Sequence, residues 1–353
     1  MDKKVINGIQ QIGIGTKDVQ STFKWYKDHL GFDIRVFEDE ATANLMLPYT
    51  AGKPRTRHAI LAMNLRGGGG MEIWQYKGRT PEAAKFDIRL GDFGVNVMKV
   101  RSKHIKESYN TIEKSGAKLL SKIEQTPAGA AHFYFLDPEH NVVEIIEDNY
   151  EFSDENSSFG GVLGVTVGVS DIEASKKFYA GILGYDQVVY EEDGTFQDLK
   201  GLPSGDKAYK RVLLRHSATR KSGGFSKLLG PTEIELVQAL DRPQRKIYEG
   251  RLWGDLGYIH LCFDVNGMAL LREECKAAGS PFTVDSSNSF DMGDAAGHFS
   301  YIEDPDGTLI EFVETHKVPI FKKLGLFINL KKRNPHKPLP NWMVKSMKMN
   351  RVK

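Results

Sequence analysis

GYIHLCFDV (Gly257–Val265) is mostly apolar and reads as a β-strand that carries one histidine, His260. IEDPDGTLIEFVE (Ile302–Glu314) has the pattern of a strand, a turn and a second strand that carries Glu311. Its Asp-Pro step suits a type I turn, with proline at the second position. A histidine and a glutamate on strands of one curled sheet can meet inside it and make half of a metal site. The other half has to come from elsewhere in the chain.

The pattern repeats. GIQQIGIGTKDVQSTFKWYKDHLGFD (Gly8–Asp33) aligns without a gap with GVLGVTVGVSDIEASKKFYAGILGYD (Gly161–Asp186). Each copy predicts a strand, an aspartate N-cap (Asp18, Asp171), a helix and a glycine at the helix end (Gly31, Gly184). GDFGVNVMKV (Gly91–Val100) aligns in the same way with GDLGYIHLCF (Gly254–Phe263). Each of these is followed by a helical segment, HIKESYNTIEKSG or MALLREECKAAG, and then by a hairpin, Phe133–Glu147 or Tyr301–Glu314.

The chain therefore reads as four modules, each a strand, a helix and about three more strands. The predicted class is α+β: four βαβββ modules paired into two half-open mixed β-barrels, followed by a basic C-terminal extension. A first domain is expected over residues 1–150 (modules 5–90 and 91–150), a second over 160–316 (modules 160–250 and 254–316), and the extension over 317–353. The polar, glycine-containing stretch Asp148–Gly161 reads as the linker. Lys77–Leu90 and Asp241–Leu252 are long polar segments, expected as lids over a pocket.

Composition is that of a globular protein, 40% apolar and 27% charged. The net charge of +2 conceals an asymmetry, because 11 of the 48 Lys/Arg residues and none of the 46 Asp/Glu residues lie from Lys317 onward. A basic tail packing back on an acidic body is the favoured reading. Val318–Arg333 mixes apolar and basic residues, so attachment to a membrane surface is the lesser reading. No apolar run of about 18 residues suggests a membrane span, and the N-terminal MDKKVINGIQQ lacks the apolar core of a secretory signal. A cytoplasmic location is expected, with Cys262 and Cys275 reduced. No nucleic-acid partner is expected, and the chain is read as a monomer or homodimer. Gly67–Gly70 is no phosphate loop, because a strand rather than a helix follows it.

The repeated strand–helix starts and the endings DPEHNVVEIIE and DPDGTLIEFVE resemble the vicinal oxygen chelate superfamily, which includes glyoxalase I, epimerases, extradiol dioxygenases and bleomycin-resistance proteins. The resemblance spans about residues 5–316. It implies that each module offers one ligand from its first strand and one from its last. On this sequence those positions are Gln11 and Glu72, Val97 and Glu144, Gly164 and Glu235, and His260 and Glu311. Two pairings of the modules are open. Pairing within each half leaves both sites incomplete. Pairing the first module with the fourth collects Gln11, Glu72, His260 and Glu311, a set similar to that of glyoxalase I, and leaves only Glu144 and Glu235 for the other site.

Two carboxylates, one imidazole and one amide oxygen suit one divalent ion (Zn, Ni, Co, Mn or Fe) with open coordination positions. Such an ion acts as a Lewis acid on a substrate carbonyl, and Glu311, or failing it Glu72, can accept the proton from the adjacent carbon. The resemblance thus implies a glyoxalase I-like lyase, isomerase or epimerase for a small oxygenated substrate. A non-heme iron dioxygenase is an alternative, though its two-histidine triad is lacking. A non-catalytic small-molecule binding or resistance protein is the other. His58, His132 and His298 read as structural or surface residues.

Overall fold

The computed structural model describes residues 4–216, 222–287, 290–292, 295–321, 326–330 and 333–353. Helices form where the caps predicted them. Asp18 accepts hydrogen bonds from the backbone N–H groups of Gln20 and Ser21 at the start of Val19–Leu30, and Asp171 does the same for Glu173 and Ala174 before Ile172–Leu183. Gly31 and Gly184 close these helices in the left-handed region, at φ 71° and 74°. The other two module helices are Ile105–Lys114 and Met268–Ala277.

The strands form two curled mixed sheets, of ten and nine strands. The first runs in the order Val284–Asp285, Ala295–Glu303, Leu309–Phe321, Gly257–Asn266, Val5–Gly15, Gly70–Tyr76, Thr56–Met63, Ile34–Thr42. It therefore joins the first module to the fourth. The second sheet joins Gly94–Ser102 of the second module to Phe159–Gly168 of the third. The units that share a sheet are thus not residues 1–150 and 160–316. The first strands of the modules pair across that division, Val5–Gly15 antiparallel to Gly257–Asn266. Neighbouring modules are tied in another way. Tyr26 donates to Asp137 in the turn of the second module at 2.6 Å, and Tyr179 donates to Asp304 in the turn of the fourth at 3.0 Å.

The main core mixes all four modules, with Ile9, Ile12, Ile14, Val100, Phe133, Val165, Val167 and Phe263 fully buried in one cluster. Both cysteines are buried and free. The linker stretch gives way to strand from Phe159, two residues before its expected end at Gly161. The strand carrying Glu311 runs past residue 316 to Phe321 and pairs with Leu326–Asn329. Further along, Leu339, Met343 and Val344 bury themselves against Ile34, Met63, Leu65, Leu228 and Leu229. Arg351 pairs with Asp33 and Glu155, and Lys348 with Glu155. The described part of the tail thus packs on the body. The membrane-surface reading of Val318–Arg333 falls partly outside the described residues. Among the described residues no helix is long and apolar enough to cross a membrane.

Asp264, at the joint of the first sheet, accepts a hydrogen bond from Asn7 at 2.5 Å. Burial pushes its carboxyl up to about 7, only partly opposed by that bond. The folded state therefore keeps this proton while the unfolded chain, with a carboxyl near 3.9, releases it. Stability present at pH 4 should decline by a few kcal/mol, as an order of magnitude, as pH rises to about 7, and level off above it. Denaturant midpoints measured from pH 4 to 8 should show this slope in the parent and lose it in Asp264→Asn.

Candidate metal centre

The first sheet brings Gln11, Glu72, His260 and Glu311 together. Two β-bulges at the strand joint flank them. One extra residue, Gln10, sits between the pairs Ile9–Phe263 and Gln11–Cys262, and another, Ile259, between Gly13–His260 and Ile14–Tyr258. Bulges re-aim side chains. Here they bound the short stretch in which Gln11 lies opposite Cys262 and His260 opposite Gly13, with Gln11 and His260 as diagonal neighbours. Glu72 enters from the strand parallel to Val5–Gly15, opposite Gly13, and Glu311 from the strand parallel to Gly257–Asn266, opposite Cys262.

His260 is fully buried, and its Nε2 lies 3.1 Å from Glu311 and 3.4 Å from Glu72. It makes no aligned hydrogen bond to either, so a buried ring nitrogen points at a place between two carboxylates without a partner. The Gln11 amide lies 3.3 Å from Glu72 and 3.5 Å from Glu311. Its opposite rotamer presents the oxygen at the same place. Glu72, His260 and Glu311 each offer a ligand atom within 4.8 Å of the others. Burial alone would strip a proton from His260, but the charges of Glu311 and Glu72 outweigh it and push the ring up to about 9. The place between these groups is one that favours a cation. The donor set thus fits one divalent ion, with the imidazole and two carboxylates as the anchoring ligands.

Small residues make room for this cluster. A Cβ on Gly13 would lie 2.3 Å from His260 Cε1. Gly13→Ala should turn the ring away and weaken divalent-metal affinity by about 10–100-fold, the range seen when a ligand's orientation is disturbed. Gly181→Ala, which meets nothing within 4 Å in a helix, is the control and should leave metal titrations unchanged.

Beside the centre opens a cavity of about 370 Å³ lined by residues that include Glu72, Glu311, Met46, Trp253, Phe299, Tyr301, Arg57 and Asp39. Trp253 follows the expected lid Asp241–Leu252, and its backbone N–H donates to the backbone carbonyl of Tyr49 at 2.9 Å. It stacks edge-on against Trp74 at 4.7 Å between centroids. The Tyr301 hydroxyl lies 3.5 Å from His260 Nδ1 and is placed to hold the ring in orientation. Tyr301, Trp253 and Arg57 carry no motif, and sequence reasoning passed over all three. For Tyr301 one signal existed, its position opposite Glu311 in the hairpin.

The other predicted pair, Glu144 and Glu235, meets in the second sheet around a residue not singled out from the sequence, Lys99. Its Nζ lies 2.7 Å from Glu235 and 3.4 Å from Glu144. Burial works against its charge, but Glu144, Glu235 and Glu233 overcome this and hold the ammonium well above its usual pKa. Arg211 donates to Glu235 at 2.8 Å and to both oxygens of Asp198 at 3.0 and 2.9 Å. His132 joins this network, 2.6 Å from Glu144. His298 pairs with Asp285 at 2.6 Å, and His58 with Glu38 at 2.9 Å.

The family model of the glyoxalase/bleomycin resistance protein/dioxygenase superfamily matches residues 8–145 and 161–312. The chain belongs to this superfamily. Among solved structures it is similar to glyoxalase I from Zea mays, at 15% identity and TM-score 0.54, covering 88% of this chain and 92% of that one. A putative dioxygenase from Bacillus subtilis aligns at 16% identity and TM-score 0.53, over 88% and 86% of the two chains. At these identities the superfamily likeness speaks for the fold. No curated protein sequence matches the chain.

Proposed function

We propose that this superfamily member is a divalent-metal-dependent enzyme that removes a proton beside a substrate carbonyl, as a glyoxalase I-like lyase, isomerase or epimerase. The observation that carries this reading is the meeting of Gln11, Glu72, His260 and Glu311 beside a cavity, lined by Glu72 and Glu311, that is large enough for a small oxygenated substrate. A divalent ion held by these four would supply Lewis acidity to a carbonyl oxygen. The chain's own residues do the rest. Glu311 and Glu72 both line the cavity, so a carboxylate oxygen of Glu311, or of Glu72 in its place, takes the proton. Trp253, Phe299, Tyr301 and Met46 exclude water from the reacting carbon. The first-strand positions hold glutamine and histidine rather than two histidines, which favours this chemistry over oxygenation.

Arg57 is the one cation among the described residues lining the cavity. Its Nη1 is held by Asp39 at 2.5 Å, and among the described residues its Nε and Nη2 donate to no protein group. The cavity therefore suits a substrate with an anionic end. Arg57→Met should raise KM about tenfold to a hundredfold, the value of a charge-assisted hydrogen bond, with kcat nearly unchanged.

The test is proton exchange in D2O. Metal-loaded protein is incubated with a panel of 2-hydroxycarbonyl compounds, with and without glutathione, and the carbon-bound proton is followed by NMR. Metal-dependent exchange or turnover is expected with at least one compound. Oxygen consumption instead would assign the site to the oxygenase branch, and metal and ligand binding without exchange to a binding protein.

A further inference from the structure

The two sheets share one register, so each position of the metal centre has a counterpart. Glu72 lies opposite Gly13, and Glu235 lies opposite Thr166, which the repeat aligns with Gly13. Glu311 lies opposite Cys262, and Glu144 lies opposite Lys99, which the repeat aligns with Cys262. The other two ligands have no equivalent, since Gly164 stands for Gln11 and Val97 for His260. Two carboxylates at equivalent positions therefore stand in the second sheet, both 1% exposed.

Buried carboxylates need a counter-charge. In the second sheet it comes from one inward position further along the strand than the lost ligand at Val97. The Lys99 side chain is 2% exposed, and its Nζ lies 2.7 Å from Glu235, 3.4 Å from Glu144 and 3.6 Å from Glu233. The fit is incomplete. Glu144 Oε2 and Glu233 Oε1 are buried and make no hydrogen bond, meeting Lys99 only at ion-pair distances of 3.4 and 3.6 Å, while His132 Nε2 faces Asp198 at 3.8 Å. Carboxylate oxygens are donors that a divalent ion gathers.

We propose that the Lys99 ammonium is a built-in substitute for a second metal ion, and that the second sheet is a latent divalent-cation site that this lysine keeps closed. The protein then has one metal centre per chain. One sheet is left to chemistry and the other to an internal ion network. The proposal does not rest on the catalytic reading, because its readout is ion uptake.

The test removes Lys99 where the first centre cannot contribute. His260→Ala/Glu311→Ala is the parent, Lys99→Ala is added to it, and Mn²⁺ is the probe. In chelator the triple variant should melt below the parent. With Mn²⁺ it should gain about one ion per chain over the parent, by mass spectrometry after dialysis, and recover thermal stability. A folded triple variant that gains no ion, or that melts with the parent in chelator, overturns the proposal. If the variant aggregates, expression with and without millimolar Mn²⁺ decides. Soluble protein only with the ion supports the proposal, and insolubility in both refutes it.

Discussion

His260→Ala is expected to release the divalent ion and to lower kcat by about 10²–10³ or more, the cost of losing one well-placed electrostatic group. The ring is the only nitrogen donor of the cluster, and its Nε2 faces both carboxylates at 3.1 and 3.4 Å. Without it Glu72 and Glu311 are left as two like charges that no longer share a ligand. Metal content by mass spectrometry separates this effect from misfolding. The variant should elute and melt as a folded protein while carrying less than stoichiometric metal. Glu311→Gln gives the complement. It keeps the shape and an amide oxygen at the site, so it should hold some metal yet lose proton abstraction. A His260→Ala protein with full metal content would remove the centre from consideration.

Arg211→Met is expected to cost stability and leave the metal alone. Arg211 is 1% exposed, and its guanidinium satisfies Asp198 and Glu235 together. Methionine fills much of the same volume but leaves both carboxylates buried without that partner. Breaking one member of such a network costs about 3–5 kcal/mol. Denaturant unfolding should show the loss as a lower midpoint, with metal stoichiometry and kcat unchanged because the residue lies in the other sheet. A similar fall in metal content would mean that the two sheets are coupled more tightly than their separate ion networks suggest.

The architecture was legible because it is repeated. The Asp caps, the glycine helix ends and the Asp-Pro turns each occur in duplicate, and each is a local signal whose physics does not depend on the rest of the chain. The ligand positions followed from their places on the first and last strands. What joined them was a count of donors, since only one pairing of modules gathered four. Other features were hidden for a physical reason. Lys99 on an alternating strand reads as a solvent-facing residue, and three carboxylates from two modules are what allow it to be buried. Trp253 and Arg57 matter through the cavity they line, which exists only after the sheet has curled. The bulges at Gln10 and Ile259 shift the parity of both strands, and side-chain alternation alone does not reveal them. The run of strand to Phe321 was missed because the basic residues after Glu314 resemble a tail.

The nesting of the modules has a consequence for how the protein is made. The inner sheet uses the adjacent stretch from Gly94 to Ala239, so it can close as soon as that stretch leaves the ribosome. The outer sheet cannot. Val5–Gly15 emerges early, but its partner Gly257–Asn266 follows about 250 residues later, roughly 10–50 seconds at ordinary rates of synthesis. Throughout that interval one edge of Val5–Gly15 lacks its hydrogen-bonded neighbour, and an unpaired edge invites aggregation. The residues of the proposed metal centre arrive in the same order, with Gln11 and Glu72 first and Glu311 nearly last. A chain stalled after Ala239 would carry the ion network of the second sheet and only half of the proposed metal centre.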